Sequence, residues 1–118
     1  MWQRKYAVAA LVWMSVIWFL SAQPYLQSGL EHDFWWRKVA HVVEYGVLTW
    51  LWARAFGGTA RGSIILAAAI SLAFAGIDEW HQGWVVGRNG TPRDVAIDAV
   101  GILLTVGWLF LSGRWRNS

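Results

Sequence analysis

VAHVVEYGVLTWLWARAF, residues 39–56, decides how many helices this chain has. It is apolar enough to suggest a membrane-spanning segment, yet it carries His41 and Glu44 in its first half and Arg54 near its end. Hydropathy alone leaves it ambiguous. On either side stand clearer apolar runs at residues 6–23, 63–80 and 95–112. Each is near the length of a spanning helix, about 17–25 residues with flanking aromatics included.

The basic residues resolve the ambiguity. If residues 39–56 span, Arg4, Lys5, Arg54, Arg61, Arg114 and Arg116 all fall on one side, which the positive-inside rule makes cytoplasmic. The other side receives Arg37, Lys38, Arg88 and Arg93 with every carboxylate of the chain: Glu31, Asp33, Glu44, Asp78, Glu79, Asp94 and Asp98. The tryptophans divide in the same way. Trp18, Trp35, Trp36, Trp80 and Trp84 form an outer aromatic belt, and Trp2, Trp50, Trp52, Trp108 and Trp115 an inner one. The expectation is an all-α, integral membrane four-helix bundle, a single domain over residues 1–118 with both termini cytoplasmic. Its helices are placed at about 6–23, 39–56, 63–80 and 95–112. A cleaved signal peptide ending near LSAQP is the competing reading of the first segment; its apolar run is long for that role.

Composition points the same way. Of 118 residues 57% are hydrophobic and 14% charged, against about a quarter charged in soluble domains. With no cysteine, disulfides, thiolate ligands and a cysteine nucleophile are excluded. The net charge of +3 is six basic residues on one side set against four basic and seven acidic residues on the other, a distribution that follows membrane topology, so no nucleic-acid partner is expected.

The polar residues of the greasy segments have a pattern. Lys38, His41 and Tyr45 share one helix face, and Arg37, His41 and Glu44 an adjacent one. Glu44 lies roughly 9 Å deeper than Lys38, so it is expected to face the interior, protonated or paired with His41 or Arg88. Asp78 is followed by Glu79, His81 and Gln82 at the end of the third helix. Asp94 and Asp98 sit one turn apart at the start of the fourth, with Asp94 as cap or first-turn residue. Gly83, Gly87 and Gly90 give the intervening loop, which carries Arg88, freedom to fold over the mouth. The bland alternatives are a buried pair fixing register for His41 and Glu44, and solvent or headgroup anchors for Arg37 and Arg93. Gly101 is expected to permit close helix packing.

KVAHVVEYGVLTWLWARAF, residues 38–56, and DEWHQGWVVGRNGTPRDVAIDAVG, residues 78–101, resemble the signatures of the VanZ-like membrane protein family. Its recurring polar residues fall on Lys38, His41, Glu44, Tyr45, Asp78, Glu79, Gln82, Arg88 and Asp94, together with Gly101. Three positions depart from it: Asp98 stands where Asn is usual, Trp84 where Phe is, and Val86 where Pro often is. The resemblance implies a link to low-level tolerance of the glycopeptide teicoplanin and no particular reaction.

Three functions are compatible with these residues. The first is a bacterial inner-membrane protein binding a lipid headgroup, a lipid-linked wall precursor or a lipophilic glycopeptide at the outer face. Lys38 and Arg88 would contact phosphate or carboxylate, and Asp78, Glu79 and Asp98 would orient them and Gln82. The second is an enzyme on a lipid phosphate, with Glu79 or Asp78 as base and His41 or His81 as acid, aided or not by a divalent metal. No HExxH, GxSxG or Walker motif is present to compel it. The third is a proton or ion path through an oligomer. The segments 47–52 and 102–108 oppose it, with only Thr49 and Thr105 as polar residues. No cofactor or resident metal is expected, and a homo-oligomer is compatible with the sequence.

Overall fold

The computed structural model describes residues 3–21, 33–57, 61–82 and 92–116, with side chains described over 3–20, 38–57, 61–81 and 95–112. The described residues form α1 (Arg4–Ser21), α2 (Asp33–Ala55), α3 (Arg61–Gln82) and α4 (Pro92–Arg116), with no strand among them. Residues 39–55 are thus helical, as the four-helix reading expected, and Phe56 begins the turn that follows. The helices overrun the hydropathy limits at their polar ends because backbone hydrogen bonding continues wherever the dihedrals allow. Pro92 opens α4, where its fixed φ and missing N–H suit a first helical position. Asp94 therefore falls in the first turn of α4 and not at its cap.

The helices alternate in direction. The backbone N–H of Gln3 donates to the Ala55 carbonyl at 2.7 Å, so α1 begins where α2 ends. Gly57 turns the chain with φ at 114°, a conformation that a side chain resists. Ser63 Oγ then donates to the Phe56 carbonyl at 2.6 Å and ties the start of α3 to the end of α2. α2 and α4 run in the same direction, for His41 meets Asp98 near one end and Gly46 meets Thr105 further along.

α2 is the central helix. It packs against the other three, α3 also packs on α4, and α1 touches α3 lightly and α4 not at all among the described residues. Small side chains bring the helices close: Ala7, Ala10, Ala53, Ala55, Ala67 and Ala75 are all buried. At the α2–α4 crossing a Cβ on Gly101 would overlap the Val42 carbonyl, which bears out the packing role expected for this glycine. Thr105 Oγ1 donates to the Gly46 carbonyl at 3.1 Å just beyond it.

Large apolar side chains point outward instead. Leu11, Val12, Phe19, Ile65, Leu103, Leu104 and Leu111 are each more than half exposed, while Asp78 and Asp98 are 1% exposed. This inverts the usual arrangement of a protein in water. Among the described residues two helical stretches, Arg61–His81 and Val95–Ser112, are long and apolar enough to cross a membrane. Trp80 and Trp108 are exposed, as a belt assignment requires, but Trp52 is buried and stacks on Phe56 with centroids 5.6 Å apart. Its place on the inward side of α2 overrides the preference of indole for an interface.

Candidate functional site

Three helices bring ionisable side chains to one level. From α2 come His41 and Tyr45, one turn apart with parallel rings, their planes within 4°. Asp78 comes from α3 and Asp98 from α4. Tyr45, fully buried, donates its hydroxyl to Asp78 Oδ2 at 3.2 Å. His41 Nδ1 approaches Asp98 Oδ1 at 2.8 Å, an ion-pair contact without the alignment of a hydrogen bond. The His41 side chain is 17% exposed and so reaches the surface that Asp98 does not.

Burial makes these pairings consequential. Taking a carboxylate out of water costs several kcal/mol after relaxation, on the order of the whole stability of a small domain. A carboxylate is tolerated there only when polar partners surround it. Each of the two aspartates meets a different α2 side chain one turn apart, so the cluster joins three helices through polar contacts on a single helix face.

The remaining candidates group around this core. Glu79 is buried on α3 beside Asp78, and Lys38 and Glu44 are half-buried on α2. The imidazole anticipated as a partner of Glu44 directs Nδ1 to Asp98, because α4 packs closely against the face that carries His41. The Glu44 carbonyl accepts a hydrogen bond from Trp13 Nε1 at 2.9 Å, which docks α1 on α2 at this level. His81 stacks on Trp18 of α1 with ring centroids 4.0 Å apart. It therefore faces α1, and the structure does not bring it to His41. Gln82 ends α3 and Asp94 lies in the first turn of α4; their side chains, like the whole of Arg88, lie outside the described residues.

Two features escaped sequence reasoning. Ser71 is fully buried, and its hydroxyl has no hydrogen-bond partner among the described residues. It lies seven residues before Asp78, two turns along the same face, and that spacing was the available signal. With Thr49, also fully buried and bonded to the Tyr45 carbonyl at 2.8 Å, it extends the polar interior beyond the residues counted from α2 and α4. The second feature is the Trp18–His81 stack, which takes Trp18 from a simple belt role into an α1–α3 contact.

Among the described residues no group of three His, Asp or Glu side chains is arranged to hold a metal ion. Two grooves between the helices are apolar. One of about 520 Å³ lies between α2 and α4, lined by Val43, Gly46, Val47, Trp50, Leu104 and Trp108 among others. Another of about 480 Å³ lies between α1 and α3 beside Trp18 and Phe74. Neither is lined by a carboxylate.

Comparison with known proteins covers the helices that carry these residues. The family model described as VanZ/LLP1 matches residues 6–113. The chain belongs to the VanZ/LLP1 family. Among curated proteins it is similar to the Uncharacterized membrane protein YwnJ of Bacillus subtilis (strain 168), 44% identical over 82 residues. That match covers 69% of this chain and 54% of the relative, so the VanZ/LLP1 chain described here spans about half the length of that protein. No solved structure matches it.

Proposed function

We propose that this VanZ/LLP1 chain is a multi-pass protein of the bacterial cytoplasmic membrane, with both termini in the cytoplasm. Near its outer face it binds an anionic or amphiphilic envelope component: a lipid headgroup, a lipid-linked wall precursor or a lipophilic glycopeptide. The observation that carries this reading is the pairing of His41 with Asp98 and of Tyr45 with Asp78 inside a protein whose outward side chains are apolar. Ionisable groups at such depth are costly and mark functional sites by default. Lys38, half-buried on the face of His41, and Arg88 of the loop supply cations for a phosphate or carboxylate. Asp78, Glu79 and Asp98 fix the polar floor beneath them. Teicoplanin tolerance would follow if the bound component is the glycopeptide or its lipid-linked target.

The test is mass spectrometry of lipids and wall precursors that copurify with the wild type, Lys38→Ala, Arg88→Ala and Glu79→Gln after incubation with an envelope lipid extract. A species retained by the wild type and lost from Lys38→Ala and Arg88→Ala, with folding intact, is the expected result. Undiminished retention by both variants would sink the reading.

A second reading has its own observation. Asp98 Oδ1 lies 2.8 Å from Nδ1 of His41, close enough for a small ring rotation to let the carboxylate orient the imidazole and leave Nε2 for proton transfer to or from a lipid phosphate ester. Time-dependent appearance of a new lipid product with the wild type and not with Glu79→Gln would favour the enzyme over the binding protein.

A further inference from the structure

The opposite end of the molecule holds an uncompensated cluster of positive charge. Lys5 Nζ lies 5.3 Å from the centroid of the Tyr6 ring, and the Arg54 guanidinium lies 5.1 Å from the same ring. Arg54 also sits 5.7 Å from the Trp50 ring, which packs edge-on against Tyr6 with centroids 5.7 Å apart. The Gln3–Ala55 backbone bond fixes the start of α1 against the end of α2, so both cations stand on anchored elements. No acidic residue occurs before Glu31, between residues 45 and 77, or after Asp98. The segments that meet here therefore contain no carboxylate that could neutralise them. The only side-chain acceptor the described residues give Arg54 is the Tyr6 hydroxyl, at a long 3.4 Å. The aromatic rings hold the guanidinium in place, its Nε is buried without a hydrogen-bond partner among the described residues, and its terminal nitrogens are the donors left for an oxyanion.

Trp50 links this cluster to a second feature. The same indole lines the apolar groove of about 520 Å³ between α2 and α4, which continues past Val47, Leu104 and Trp108 toward Val42 and Gly101. An oxyanion at Arg54 and an apolar chain along this groove would belong to one amphiphile. We propose that Lys5 and Arg54, framed by Tyr6 and Trp50, bind the phosphate of an anionic phospholipid, and that one of its acyl chains lies in the α2–α4 groove.

Arg54 donates to the phosphate oxygens and Lys5 adds a second positive charge, while Trp50 marks the level at which headgroup gives way to chain. This site rests on the reading of the chain as membrane-embedded, and not on the identity of the component bound near Lys38. Its phosphate chemistry is shared with free inorganic phosphate; the groove assigns it to the lipid.

The experiment is native mass spectrometry of the full chain extracted in detergent and offered phosphatidylglycerol, phosphatidylcholine or both, with inorganic phosphate as competitor. The wild type should retain phosphatidylglycerol in preference to phosphatidylcholine. Lys5→Gln and Arg54→Gln should each weaken that retention roughly tenfold, the equivalent of one charge-assisted hydrogen bond. Arg54→Lys should restore part of it. Leu104→Trp, which fills the groove from an exposed position without changing charge, should also reduce it. Repeating the Lys5→Gln and Arg54→Gln comparison in a Lys38→Gln background removes any contribution of the other end, so the two ends of the molecule are read separately. Circular dichroism establishes folding of each variant; Lys5 is exposed, so Lys5→Gln carries the test even if Arg54→Gln fails to fold. Equal retention of the two lipids, or unchanged retention in both charge variants, overturns the site. Inorganic phosphate displacing the lipid at equal concentration, with Leu104→Trp without effect, overturns the lipid as its occupant.

Discussion

Where α3 finishes and α4 begins, Asp78 and Asp98 are buried and each meets a side chain of α2; at the other end Lys5 and Arg54 lie over aromatic rings, in segments without a carboxylate. The first end neutralises charge with residues drawn from three helices, so charge and helix packing there are one problem. The second leaves its charge to be met from outside, so packing there is carried by rings and a backbone bond. The difference teaches that stability and ligand response should respond to mutation in opposite ways at the two ends.

The largest effect is expected at Asp98. Asp98→Ala leaves His41 facing an emptied buried position, and breaking a buried pair costs about 3–5 kcal/mol. Thermal unfolding in detergent should show the loss, and Asp98→Asn, which keeps the shape and a polar contact for His41, should recover most of it. A smaller break is expected one turn along α4. A Cβ at Gly101 must push α4 away from the Val42 carbonyl, so Gly101→Ala is predicted to cost about 1–3 kcal/mol. It should also shift the His41 ring resonances, because the polar pairing shares the crossing. Tyr45→Phe removes one neutral donor to Asp78 and should cost about 1 kcal/mol or somewhat more, since the acceptor is buried. The smallest effect belongs to the basic end: Tyr6→Phe keeps the ring beneath both cations and loses only the 3.4 Å contact, so its melting midpoint should match the wild type. A large loss in Tyr6→Phe together with a silent Asp98→Ala would invert the comparison.

Much of this architecture was legible in the sequence. Four helices, their alternation and the gathering of basic residues at one end followed from placing Arg54 with Arg4, Lys5 and Arg61. The shared face of His41 and Tyr45 followed from their spacing. What did not follow was which helix would be central. Residues 39–56 looked doubtful because they are the least apolar candidate, and the structure gives the reason: α2 packs against the other three helices, and a window average counts its inward polar residues, such as Tyr45 and Thr49, equally with its outward valines. The same cause hid the partner of His41. Intrahelical spacing puts His41 beside Glu44, while the approach of Asp98 depends on how closely α4 passes at Gly101, a property of two helices at once. Trp52 was assigned to a belt by residue type and lies inside by position. Ser71 was overlooked because a serine in an alanine-rich helix carries no weight until Asp78 is known to share its face.

The attachment of α1 bears on how the chain is assembled. α1 contacts α2 from the Gln3–Ala55 bond at one end to the Trp13–Glu44 bond further along, and does not touch α4 among the described residues. It also precedes α2 in the chain. For a chain inserted into a bilayer as it is synthesised, α2 is the helix least able to partition alone, and the helix that precedes it offers an indole donor and a matching flank. On the multi-pass reading proposed above, the expected outcome is that α1 and α2 enter as a hairpin, with α1 as an intramolecular insertion partner. Reporter-tag mapping of α2 topology with α1 present, or replaced by an unrelated apolar helix, would decide it; equal insertion in both would show that α2 needs no such help.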